Sequence, residues 1–401
     1  MVGMASVAPA SFAGDVSPPR APAAAKTRLQ NIDALRGFVM VVMLLDHIRE
    51  TWFVYIPIAD PVDARTIMPA LFFARLAASL CAPIFVGLTG LGVFLFRQSH
   101  SLQETRAYLV KRGLLLMALD VVYLSELYWG ITTPTVWLQV IWCIGVCMLV
   151  LAALLGLPLR ALIAIGLVIV FGHNLLDPIK LVPGQPLFPL WAALHQRDAI
   201  VLPIGLTIKT TYPVLAWIGV ILLGYGMGPW FLPDVSSETR RRRLIALGFG
   251  MLGMFAILRL LNVYGDKPWF SVEGDMPRTL MSFFALTKYP PSLLFLLLTL
   301  GVGAILLAVF ERLRAASVIE KLAVFGGAPM FFYIFHLSVL RILYHSALGI
   351  WGPNKGTVFG LNDYNWAFAW WVGLVLVLYF PTTWFARLKK RRRDLAWLRY
   401  F

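Results

Sequence analysis

Long apolar runs broken by short charged stretches dominate the chain. Ten stand out, at about 33–54, 76–97, 108–128, 136–156, 160–176, 211–232, 244–264, 290–311, 323–347 and 366–386. Each approaches the ~20 residues that a helix needs to cross ~30 Å of hydrocarbon. None shows the period-two alternation of a membrane barrel strand. A backbone inside lipid must satisfy its own hydrogen bonds, so the runs predict helices. The expected fold is all-α: a polytopic membrane bundle of about ten transmembrane helices. Residues 1–27, rich in Ala, Pro and Ser, read as a disordered cytoplasmic tail rather than a signal peptide, because the apolar run that follows is long and holds charges. Residues 28–387 make the membrane domain, and 388–401 a basic amphipathic cytoplasmic tail.

Composition supports this reading. Hydrophobic residues make up 59% of the chain and charged residues 14%, against about a quarter charged in soluble domains. The net charge of +15 would suggest nucleic acid in a soluble protein. Here most basic residues fall in alternate connections, as the positive-inside rule requires with both termini cytoplasmic, so the lipid bilayer is the expected partner and nucleic acid is not. The outer connections, 50–75, 177–210, 265–289 and 348–365, are the long ones, yet none is long enough for an independent domain. The terminal RLKKRRRDLAWLRYF suits an anionic lipid surface. Cys81, Cys143 and Cys147 cannot build a disulfide framework, and the scattered histidines offer no metal-binding spacing. A homo-oligomer is compatible with all of this, and nothing in the sequence requires one.

Ionisable residues inside apolar runs are costly, which makes them site candidates. The first run holds Asp33, Arg36, Asp46 and His47. Arg36 and His47 lie eleven residues apart, so about 100° per residue returns them to one helix face, about 16 Å apart along the axis. An arginine can hold a phosphate or an acyl carbonyl, and a histidine can take a proton from a hydroxyl or amine. Asp46 adjoins His47 but sits about 100° round the helix. The plainer alternative is a cap at Asp33, a positive-inside anchor at Arg36 and a hydrogen-bonded histidine at the outer end. Lys111 and Arg112 open the third run, where they serve as phosphate contacts or as anchors. Asp120 lies deeper in that run and Glu126 near its outer end; such acids pair or line a polar pocket. His336, near the middle of the ninth run, lines a tunnel or donates to a carbonyl. Arg259 and Arg341 also fall within runs.

The stretch RLQNIDALRGFVMVVMLLDH resembles the first helix of bacterial membrane proteins related to the heparan-alpha-glucosaminide N-acetyltransferase catalytic domain, many of which carry only a domain-of-unknown-function label. The resemblance continues through CAPIFVGLTGLGVFL, KRGLLLMALDVVY, YPVLAWIGVILLGYGMG, TKYPPSLLFLLLTLG and FGGAPMFFYIFHL. The Arg-x10-His spacing is also similar to that of the transmembrane acyltransferases that decorate surface sugars. The resemblance implies a bacterial inner-membrane enzyme that moves an acetyl group from cytoplasmic acetyl-CoA to a hydroxyl or amine of an extracytoplasmic glycan or amino sugar. It makes Arg36 the first-helix basic residue and His47 the catalytic histidine, with Asp46 beside it. Arg36, Lys111 and Arg112 become donor contacts, and Asp120, Glu126 and His336 substrate contacts. One departure is that the lysosomal heparan enzyme has asparagine where this chain has His47, and its histidine lies further along. The rival reading is a transporter or flippase for a small anionic or lipid-linked solute, using the same buried charges as a path.

Overall fold

The computed structural model describes residues 22–125, 134–392, 394–395 and 397–398. Most of the expected N-terminal tail, and Glu126, lie outside the described residues. The first helix, α1 (Pro22–Trp52), is 31 residues long. After it come α2 (Pro69–Ala78), α3 (Cys81–Arg97) and α4 (Leu102–Ala118). Ser101 caps α4 by accepting from the Glu104 N–H, while the Glu104 carboxylate accepts from the Ser101 N–H, a reciprocal pairing that fixes a helix start. The helix then widens into a π turn, Leu119–Leu124.

The chain continues through α5 (Val140–Leu154), α6 (Leu159–Gly172), the short α7 (Phe188–Leu194), α8 (Leu215–Gly226), α9 (Ser237–Leu261), α10 (Met276–Phe284), α11 (Leu293–Arg312), α12 (Ser317–Gly327), α13 (Pro329–Trp351) and α14 (Asn365–Arg391). Six helices are both long and apolar enough to cross a membrane: α2 with α3, α6 with its one-turn extension, α9, α11, α13 and α14. The apolar α5 and α8 are shorter. Among the described residues the count of long apolar helices is therefore six, against an expectation of about ten. The first helix is long enough but carries Asp33, Arg36, Asp46, Arg49 and Glu50.

Two departures from the expected pattern have local causes. The ninth run divides at Ala328, because Pro329 brings no N–H and turns the preceding residue out of the helical region. The fourth run opens as a strand, β1 (Thr135–Leu138), before helix begins. It pairs in parallel with β3 (Thr207–Thr210), which pairs antiparallel with β2 (Ala199–Val201). The outer connection at 177–210 thus supplies two strands of a small sheet, so the architecture is helical with a minor β element.

Glycines set the closest helix crossings. A Cβ on Gly37 of α1 would meet the backbone of Leu322 in α12, and one on Gly326 would meet the backbone of Asp33. The α3/α8 crossing uses Gly90 against Ile221 and Gly224 against Gly87 in the same way. Small residues let backbones approach inside a membrane, where dispersion contacts replace the hydrophobic drive. One apolar core gathers around α8, with Trp217, Met148 and Leu296. Another joins the second half of α1 to α13 and α14, with Leu44, Ile48, Phe332 and Leu340.

Two arginines in apolar helices serve structure. Arg240 of α9 and Glu311 of α11 form a buried two-bond ion pair, with Arg240 Nε donating to Glu311 Oε2 at 3.0 Å. Arg259 donates to the carbonyls of Lys267, Ser282, Phe283 and Ala285 at 2.6–3.1 Å. It thereby satisfies the exposed carbonyl end of α10.

Candidate functional site

A cavity of about 690 Å³ runs between these cores, lined at one end by Asp33 and Arg36 and at the other by Asp46 and His47. The shared stripe on α1 therefore borders one continuous space. Between its ends the lining is mainly apolar, with Met40, Met43, Phe85, Leu88, Val93, Leu116 and Ile141.

The Arg36 end is cationic. Arg36 Nη1 donates to Asp33 Oδ1 at 2.6 Å and to the Gly326 carbonyl at 2.9 Å. Lys389 of α14 also lines this space, and its Nζ donates to the Gly327 carbonyl at 3.4 Å. Consecutive carbonyls at the C-terminal, negative end of α12 thus hold two cations from distant parts of the chain. Arg112 of α4 is a third lining cation, with Nη1 donating to Tyr108 Oη at 2.6 Å. Its buried Nε donates to no described group. Lys111, about 100° round α4 from Arg112, is exposed and outside the cavity lining.

The His47 end is built from α1 and α13. His47 Nδ1 lies 2.7 Å from His336 Nε2. The two rings are nearly parallel at 11°, with centroids 5.0 Å apart. His336 is fully buried, and its Nδ1 lies 2.7 Å from the Phe332 carbonyl one turn earlier. It stands behind His47 rather than in the lining. Tyr333, on the same helix, meets His47 edge-on at 5.9 Å and lines the cavity.

Asp46 faces away from this pair toward cations: it accepts from Arg49 Nε at 2.9 Å, and Arg75 Nη1 is 3.7 Å away. Asp120 lies in the π turn, where Oδ2 accepts the N–H groups of Gln139 and Trp142 at 2.7 and 3.3 Å. That carboxylate caps the start of α5, while its Oδ1 is buried without a described partner. Asp120 also lines the cavity.

Several lining residues were not singled out from the sequence. Lys389 belongs to the stretch read as a lipid anchor. Asp60, from the connection after α1, accepts the N–H groups of Lys288 and Tyr289 at 3.0 and 2.8 Å. Burial pushes the Asp60 carboxyl above its usual range, against the pull of those two bonds. Tyr289 Oη in turn donates to Tyr212 Oη at 3.1 Å. Lys288, Tyr289, Tyr212 and Arg197 complete this mouth. Only the Lys288–Tyr289 pair carried a sequence signal, through its place before Pro290 and Pro291.

Residues 28–259 match the family model described as heparan-alpha-glucosaminide N-acetyltransferase, catalytic. The match spans more than half of the chain and takes in Arg36, His47, Arg112 and Asp120, while His336 and Lys389 lie beyond it. It gives no support to the transporter reading. Nothing among curated protein sequences matches the chain.

Proposed function

The chain belongs to the heparan-alpha-glucosaminide N-acetyltransferase catalytic family, an integral-membrane acetyltransferase lineage, and from that premise we propose that it carries acetyl from cytoplasmic acetyl-CoA to an amine or hydroxyl of a sugar on the other side. The observation that carries this reading is the single cavity joining Arg36 to His47. Basic residues from α1, α4 and α14 gather at one end, which is the end the positive-inside rule turns to the cytoplasm. Arg36, Arg112 and Lys389 suit the phosphates of the donor. Arg36 stands about 16 Å along the helix from His47, too far to touch a thioester reacting there, so its role is with the phosphates. The apolar middle of the cavity suits the extended pantetheine arm.

At the far end His47 acts as the general base. The acceptor nitrogen or oxygen attacks the thioester carbon as its proton passes to His47. The C–S bond breaks, and the CoA thiolate leaves with the proton from His47. Products are the acetylated sugar and free CoA. Direct transfer of this kind needs no covalent enzyme intermediate.

The test uses purified protein in lipid vesicles, labelled acetyl-CoA and a glucosaminide acceptor. Wild-type protein should transfer label, and His47→Ala should lose transfer while keeping its elution profile and thermal transition. Turnover by His47→Ala at the wild-type rate removes His47 as the base; absence of CoA-dependent transfer by the wild type removes the enzyme reading.

A further inference from the structure

We propose that His336 is a positioning residue that fixes the tautomer of His47 and so decides which of its ring nitrogens is basic. The inference rests on the acetyl-transfer reading for its purpose, but its geometry stands apart from it.

The hydrogen bonds run in one direction. A backbone carbonyl only accepts, so the 2.7 Å contact to Phe332 requires the proton on His336 Nδ1. No carboxylate among the described residues bonds His336, and a buried charge without such a partner is costly, so the ring is neutral. Its Nε2 then carries a lone pair. That lone pair faces His47 Nδ1 at 2.7 Å, so His47 must donate from Nδ1. The proton-accepting lone pair of His47 is thereby placed on Nε2. A partner that binds one ring nitrogen sets the chemistry of the other. When His47 gains a proton during reaction, the same bond stabilises the charged ring.

Rigidity supports the assignment. His336 packs on Phe332, with centroids 5.0 Å apart at 21°, and meets His47 edge to edge, nearly coplanar, through the nitrogen–nitrogen contact. A ring packed against Phe332, with both nitrogens committed, cannot easily turn. Other charged and titratable groups around His47 include Asp46, Arg49 and Glu50 on its own helix, Lys288 ahead of α11 and Tyr333 on α13. His336 is the partner with a bond to Nδ1.

The test compares His336→Leu with His336→Gln. Leucine keeps the volume and removes the acceptor. The glutamine amide oxygen can occupy the place of imidazole Nε2 and accept the same N–H. His336→Leu should lower kcat by ~10- to 100-fold, the range seen when the hydrogen-bond partners that orient metal-ligating histidines are removed, with the KM for acetyl-CoA nearly unchanged. His336→Gln should recover most of the rate. Nitrogen-15 magnetic resonance of histidine-labelled wild-type protein in lipid should show His47 protonated at Nδ1. That measurement needs no activity and no variant that must fold, so it stands even if transfer is never observed. Protonation of neutral His47 at Nε2, a His336→Leu enzyme with wild-type kcat, or no recovery by a folded His336→Gln would each overturn the proposal.

Discussion

At the scale of single residues, two groups of side chains divide the work of the cavity. Arg36, Arg112 and Lys389 form its cationic end. Arg36→Ala or Lys389→Ala should raise the KM for acetyl-CoA by about tenfold, as expected for loss of one charge-assisted hydrogen bond. Neither change should affect S-acetyl-pantetheine, which lacks the nucleotide phosphates. Steady-state kinetics with both donors checks this, and an equal loss with both would place these cations elsewhere in the reaction. Asp46 has a plainer task. Its carboxylate accepts from Arg49 with Arg75 close by, an ion pair that ties down the end of α1. The Arg36–His47 alignment was legible because helical geometry alone decides it. The importance of Lys389 was not, since a lysine in a polybasic run gives no sign that its neighbour will be the end of α12.

Among elements, packing turns on close crossings and on buried polar ties. The α1/α12 contact at Gly37 and Gly326 has no room for a side chain. Gly326→Leu should therefore displace α12, and with it the carbonyls that hold Arg36 and Lys389. A lower thermal transition together with weaker donor binding, measured by calorimetry, is expected; loss of neither would mean the crossing can yield. The Arg240–Glu311 pair ties α9 to α11. Breaking it with Glu311→Ala leaves a guanidinium buried and unpaired, which costs about 3–5 kcal/mol and should appear as destabilisation in thermal unfolding. The apolar runs marked where helices lie but not how long they are, since α5 and α8 are shorter than the runs that hold them. The break at Ala328 carried a signal in Pro329, but the strand character of Thr135–Leu138 depends on its partner at Thr207–Thr210, which no local pattern announces.

For the molecule as a whole, the telling feature is one space bordered by groups of opposite ends. In sealed vesicles with inward- and outward-facing protein sorted by sidedness, acetyl should move only when donor and acceptor occupy opposite compartments. Product formed equally well with both on one side would mean that the cavity serves as a pocket rather than a passage. Narrowing the apolar middle, for example Leu88→Trp, should reduce transfer without altering the cationic end; labelled acetyl-CoA binding and turnover, measured together, separate the two effects.

The sequence by itself determined a helical membrane protein, because burial of backbone polar groups in lipid leaves few other forms, and it determined the Arg36–His47 stripe, because residue spacing along one helix is fixed by its pitch. Only the tertiary structure decided what those residues meet. The pairing of His47 with His336 spans 289 positions of chain, and the gathering of Lys389 with Arg36 depends on two distant helices packing on α12. Such contacts arise from the way whole helices fit together, through glycine crossings and buried pairs, and no local pattern of apolar and polar residues encodes them.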